Sequence, residues 1–171
     1  TLYTLRDFVQ TPIEISTTLQ KIKTIGYEHI QLSALGPVDP AVLGTMIRDS
    51  GLHVCATHVP FERLQEETDD VIAEHRLWEC EHIAFGSMPR SYWDTSDGFS
   101  RFAEDASIVA LRLKTAGITF SYHNHHTEFV RVGDRTGLSI LMEDSDPALC
   151  FEIDTYWVQY GGGDPVYWIN K

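Results

Sequence analysis

No stretch of this chain approaches the roughly 20 consecutive apolar residues that cross a bilayer. Nor does a basic region followed by an apolar one open the sequence, so no membrane span is expected and the chain reads as soluble, its start saying nothing of targeting. The chain starts at Thr1 without a methionine, inside an apolar segment, and the expectation is that further residues precede it. Basic residues are scarce. The 13 Lys and Arg against 25 Asp and Glu give a formal net charge of -12, which repels phosphate backbones and anionic lipid surfaces. Neither nucleic acid nor a membrane is an expected partner. Cysteine is rare too: Cys55, Cys80 and Cys150 are odd in number and widely spaced within apolar segments. That excludes a disulfide framework or a C-x-x-C zinc site and points to reduced core thiols in a cytoplasmic protein. Internal repeats and low-complexity tracts are missing as well.

What is present is an ordinary globular composition, 43% hydrophobic and 22% charged over 171 residues, enough for one domain spanning 1–171. Six short apolar segments recur: Leu2–Phe8, His29–Ser33, His53–Val59, His82–Gly86, Ile118–His125 and Leu149–Tyr156. Most are separated by pieces with helical spacing. In Ile13–Ile25, Ile15, Leu19, Ile22 and Ile25 fall at three- and four-residue steps, and Phe99–Thr115 sets Ala103, Ala106, Val109, Ala110 and Leu113 on one side. Pro40–Ser50 and Thr68–Glu79 have the same character, the latter beginning in the acidic cluster Glu66-Glu67-Thr68-Asp69-Asp70 that suits a helix start. Gly26, Gly51 and Gly117 stand where helix C-termini need a left-handed residue.

Alternating strands and helices imply a parallel sheet with right-handed crossovers, either doubly wound or closed into a barrel. Two features favour the barrel. Polar residues gather at the C-terminal ends of several strands, and no glycine-rich phosphate loop follows the first one. The run Gly161-Gly162-Gly163 comes after the sixth segment and leads into Asp164-Pro165, which has the form of a turn and helix start. A (β/α)8 TIM barrel needs eight strands and about 250 residues, so the expectation is about six βα units of such a barrel, incomplete at the C-terminus.

Strand parity then locates candidate chemistry. In the fifth segment Ile118, Phe120 and Tyr122 form the bulky, helix-facing set, leaving Thr119, Ser121, His123 and His125 facing inward. In the sixth, Phe151 and Ile153 face outward and Cys150, Glu152 and Asp154 inward. His58 closes the third segment with the parity of Val54 and Ala56. A lone inward histidine is more often hydrogen-bonded packing than a ligand. Two histidines at i and i+2 beside an inward aspartate are harder to account for as packing, and imidazole with carboxylate suits zinc, manganese or cobalt. His126 has the opposite parity and belongs to the loop, while His29, His53, His75 and His82 are structural or surface positions. Tyr156 and Trp157 would either stack on an apolar sugar face or simply pack.

Four stretches occur in order: Leu2-Tyr3-Thr4-Leu5-Arg6-Asp7, Gly26-Tyr27-Glu28-His29-Ile30-Gln31-Leu32, Tyr122-His123-Asn124-His125-His126-Thr127-Glu128-Phe129 and Glu152-Ile153-Asp154-Thr155-Tyr156-Trp157. With them the sequence resembles the xylose isomerase-like sugar phosphate isomerase/epimerase family, in the branch with a Tyr-His-Asn-His motif. The resemblance implies a metal-dependent barrel acting on sugars, keto-sugars or inositol derivatives. It implies metal ligands on strands five to eight: an acid on five in many members, then an aspartate, a histidine and a glutamate. Asp154 matches the strand-six ligand. The fifth strand carries histidines where many epimerases carry a glutamate, which resembles inosose dehydratase-like members, and Gln31 stands where relatives often have a substrate-contacting glutamate. The last two ligands would fall beyond Lys171.

The expected site therefore has His125, Asp154 and His123 as metal ligands. His58, His123 and Glu152 would serve proton transfer, and Arg6, Gln31 and Trp157 substrate contact. The expected function is isomerase or epimerase on a small sugar or sugar phosphate through an enediolate, with a divalent manganese, cobalt or zinc ion. A lyase or dehydratase using the same enediolate is the alternative, and a non-catalytic carbohydrate-binding barrel is the alternative of another class. An incomplete barrel exposes sheet edges and interior, which missing units, a second copy in a homodimer, or poor solubility would reflect.

Overall fold

In the computed structural model, which describes residues 1–93 and 97–171, the first apolar segment is not a strand. Leu2–Phe8 is a 3-10 helix. Leu2 and Val9 are buried and Leu5 half-buried, whereas Tyr3, Thr4, Arg6, Asp7 and Phe8 are exposed. The spacing of three and then four between the inward residues is helical, and the exposed Tyr3 and Phe8 disguise it as a continuous apolar run. The chain is an α/β protein whose main sheet has five strands rather than six, in the order β1 (His29–Leu32), β2 (His53–His58), β3 (His82–Phe85), β4 (Thr119–His123) and β7 (Leu149–Glu152).

The chain divides into two compact units, Thr1–Ile83 and Ala84–Lys171, with the division inside β3 (His82–Phe85). In the first unit α1 (Pro12–Ile25) starts at a capping box. The Thr11 hydroxyl accepts from the Glu14 N–H, and the Glu14 carboxylate accepts from the Thr11 N–H at 2.9 Å. Ile15, Leu19 and Ile22 are buried as their spacing requires, but Ile25 is 73% exposed. The helix ends at Gly26 with φ +112°, a conformation that a side chain would disfavour. β1 (His29–Leu32), α2 (Pro40–Ser50) and β2 (His53–His58) follow, and β1 and β2 pair in parallel. Two helices, α3 (Phe61–Glu66) and α4 (Thr68–Leu77), flank Glu67, so the acidic cluster ends one helix and begins the next. Arg63 holds them together by donating to both Glu67 and Glu74.

The register of β1 on β2 slips at Cys55: Ile30 pairs with Val54, but Gln31 pairs with Ala56. One extra residue in β2 breaks the simple alternation. Val54 therefore lies in the apolar core while His58, expected to share its face, is half-buried. The thiols also depart from expectation. Cys80 is buried, but Cys55 and Cys150 are exposed, and all three are free.

The second unit contains α5 (Arg90–Trp93) and α6 (Gly98–Thr115), whose Phe102, Ala103, Ala106, Val109, Ala110 and Leu113 are buried. β4 (Thr119–His123) leads through a 3-10 turn, His126–Phe129, to a small antiparallel hairpin of β5 (Arg131–Val132) and β6 (Arg135–Thr136). Then come α7 (Gly137–Asp144), β7 (Leu149–Glu152), α8 (Thr155–Tyr160) and α9 (Pro165–Ile169). β4 and β7 are parallel neighbours, with Phe120 opposite Leu149 and His123 opposite Glu152. Among the described residues no helix is long and apolar enough to cross a membrane.

Candidate functional site

Parity holds along β4. Phe120 and Tyr122 are fully buried, and Thr119, Ser121 and His123 are half-buried on the other face. On β7, Phe151 packs against the cluster of Leu138, Val158 and Trp168, as does Ile153 just beyond the strand, so Glu152 and Asp154 are left on the face that carries His123. His123 is the last residue of β4 and Glu152 the last of β7, and their pairing in register brings their side chains together. His123 Nδ1 lies 3.3 Å from Glu152 Oε1, and its Nε2 lies 3.7 Å from Asp154 Oδ2. The His125 ring stands 5.0 Å from that of His123, steeply inclined to it. A Cβ built on Gly86 would meet both rings at 3.4 Å, an ordinary van der Waals distance, so the residue after β3 lies directly against the imidazole pair.

Burial is the main reason that His125 titrates below an ordinary histidine. Neighbouring His123 adds to the effect, while Glu128 and Asp154 oppose it, so the neutral ring is favoured. Trp157, the first helical turn beyond Asp154, sets its indole 5.2 Å from His125 and stacks it on His126 at 5.3 Å. Tyr156 is exposed beside it. Two residues that parity left out are buried within this group. Asn124 hydrogen-bonds the main chain of Asp154, and Glu128 accepts from the Tyr122 hydroxyl and the His125 N–H. Their sequence signal is their place in the Tyr122–Phe129 motif and a polar type at a strand end and turn, which assigns them no role.

In the first unit Gln31 Nε2 and His58 Nε2 are 3.0 Å apart at the ends of β1 and β2. Arg6 sits on the exposed 3-10 helix, not on a strand, with its guanidinium 4.8 Å over the Tyr3 ring. The glycine run has a packing explanation. A Cβ on Gly161 or Gly163 would come within 2.6 Å or 2.5 Å of the Phe129 ring, and Asp164 caps α9 as its sequence suggested.

The donors at β4 and β7 suit the divalent ion that the resemblance implies. Imidazole nitrogen and carboxylate oxygen are the donors borderline ions prefer. The 3.7 Å between His123 Nε2 and Asp154 Oδ2 is near the separation of two ligands that each bind one ion at about 2.1 Å. The other ring nitrogen meets a carboxylate, as metal-bound imidazoles commonly do.

This architecture is the α/β fold of the xylose isomerase-like TIM barrels, as the sequence resemblance implied. Two sugar phosphate isomerases/epimerases from Parabacteroides distasonis superpose on 91% of this chain with TM-scores of 0.79 and 0.78, at 21% and 25% identity. The chain spans 65% and 68% of their lengths. An L-ribulose 3-epimerase superposes with a TM-score of 0.63 at 22% identity, over 91% of this chain and 59% of its own. A probable 3-DHS dehydratase from Bacillus anthracis and an AP endonuclease from Brucella melitensis share the fold at 13% identity, so the fold alone does not select a reaction. No protein-family model matches the sequence, and no curated protein matches it.

Proposed function

We propose that this chain belongs to a metal-dependent sugar isomerase or epimerase acting on a small sugar or sugar phosphate. The observation that carries the proposal is the convergence of His123, Glu152 and Asp154 at the ends of two neighbouring parallel strands, with His125 against them. Asp154, His123 and His125 would hold the divalent ion, manganese, cobalt or zinc. When bound, it would polarise a substrate carbonyl and the adjacent hydroxyl. The chain's own residues do the remaining work. Glu152, its Oε1 held by His123 Nδ1, can take and return the proton on the carbon next to the carbonyl through its carboxylate, with His123 orienting it. Trp157 offers a flat ring beside His125 for the apolar face of a sugar. His58 keeps a proposed role in proton transfer, and Gln31 and Arg6 in substrate contact. A cytoplasmic location and a homodimer are parts of the same proposal, the latter read by sedimentation equilibrium.

A second reading, a dehydratase expelling water from the next carbon, is favoured by His123 at the end of β4 and His125 just beyond it, where the resemblance puts an acid in many epimerases. Incubation with keto-sugars and inososes in deuterated solvent separates the two. Deuterium uptake without loss of water supports the isomerase, and loss of water supports the dehydratase. Asp154→Asn is expected to lower either activity by more than the about 10- to 100-fold typical of changes outside the ligand shell, with an unchanged circular dichroism spectrum. Neither reaction, together with no calorimetric heat from manganese, cobalt or zinc, would leave the carbohydrate-binding alternative.

A further inference from the structure

Asn124 is 0% exposed although it lies between two site histidines. Its Oδ1 accepts from the Asp154 N–H at 2.9 Å, and its Nδ2 donates to the Asp154 carbonyl at 3.4 Å. The ladder between β4 and β7 ends at the pair His123 and Glu152, so this side chain supplies the hydrogen bonds that a further main-chain pair would have made. Asp154 then caps α8, its Oδ1 accepting from the Trp157 N–H at 3.1 Å. With its main chain and Oδ1 committed, Asp154 turns Oδ2 toward His123.

Glu128 acts in the same way on His125. Only 1% exposed, it accepts from the His125 N–H at 2.7 Å through Oε2. Its Oε1 accepts from the Tyr122 hydroxyl at 2.8 Å and the Thr127 hydroxyl at 3.1 Å. A buried carboxylate is tolerated only where donors satisfy it, and one donor here is the main chain of a site residue.

We propose that Asn124 and Glu128 are positioning residues that fix Asp154 and His125 from behind, so that Oδ2 and the imidazole are preset before any ion or substrate arrives. The inference rests on the reading of Asp154 and His125 as ion-holding residues and adds two side chains that touch neither ion nor substrate. Such support is what keeps a site within the narrow geometric range its chemistry needs.

The test compares the wild-type chain with Asn124→Ser, Glu128→Met and Glu128→Gln, and with Val158→Ala as a packing control in the same unit. Metal Kd is measured by calorimetry with manganese, cobalt and zinc, alongside melting temperature and hydrogen exchange at the Asp154 and His125 amides. Both amides are expected to be protected in the wild type. N124S should release the Asp154 amide and E128M the His125 amide, each raising the Kd about 10- to 100-fold. E128Q, which keeps an acceptor for the His125 N–H, should restore the Kd to within a few-fold, and V158A should lower the melting temperature while leaving the Kd unchanged. Wild-type affinity in N124S and E128M, or an equal loss in V158A, overturns the positioning role and leaves the site reading standing. A wild type that takes up none of the three ions overturns the site reading, and amide protection then decides by itself whether the two side chains hold Asp154 and His125.

Discussion

His75 shows at the scale of one residue how packing sets a protonation state. It is 1% exposed, with Nδ1 2.7 Å from the Val71 carbonyl and Nε2 2.7 Å from the Thr57 hydroxyl. A carbonyl only accepts, so Nδ1 carries a proton, and in the neutral ring that burial favours Nε2 accepts from the Thr57 hydroxyl. Burial is the largest cause of its lowered pKa, opposed by the bond to Val71 and the charge of Glu74 and reinforced by Arg63. The unfolded chain binds a proton on this group near the ordinary pKa of about 6.5, and the folded chain resists it. Stability should then rise with pH between the folded and unfolded values, and be lost as pH falls below about 6.5. Urea unfolding at pH 7 and pH 5 checks this: the loss on acidification should be smaller in His75→Gln than in the wild type, and equal losses would refute it. The sequence placed His75 only as structural or surface, because a single imidazole on a helix carries no mark of the Thr57 that meets it 18 positions away.

Local chemistry was largely legible at the scale of elements. The glycine stops follow from the chain's own neighbours, and Gly26, Gly51 and Gly117 all take the left-handed conformation expected of them, whereas the caps at Thr11 and Asp39 were not read from the sequence. The first apolar segment was not legible, since a run with apolar residues at several phases fits a strand and a 3-10 helix alike. The glycine run after α8 was identified as a turn, but its cause is the ring of Phe129, more than thirty positions earlier. In Gly161→Ala the new Cβ would lie 2.6 Å from that ring, and such overpacking costs about 1–3 kcal/mol. The expected outcome is a lower urea midpoint that Phe129→Leu in the same chain partly restores. An unchanged midpoint in G161A would show that the contact relaxes freely.

For the whole molecule the governing quantity is charge. A net -12 opposes compaction through self-repulsion, and salt screens it over a Debye length of about 10 Å at 0.1 M. Melting temperature should therefore climb between about 0.01 M and 0.1 M sodium chloride, where screening changes most. A flat or falling curve would mean that local pairs such as Arg135 with Asp144 and Arg63 with Glu74 outweigh the overall repulsion. The same charge accounts for the expectation that phosphate backbones are not partners.

The sequence by itself determined the alternation of helix and strand, the phase of β4 and β7, and hence the common face of His123, Glu152 and Asp154. These are consequences of period-two and period-3.6 geometry acting on adjacent residues. Only the tertiary structure decided the slip at Cys55 that separates His58 from Val54, the two hydrogen bonds from Asn124 to Asp154, and the burial of Glu128 beneath His125. A slip in register depends on the neighbouring strand, not on the slipping one. The Asn124 bonds join residues 30 positions apart, a pairing that exists only once β4 and β7 lie side by side.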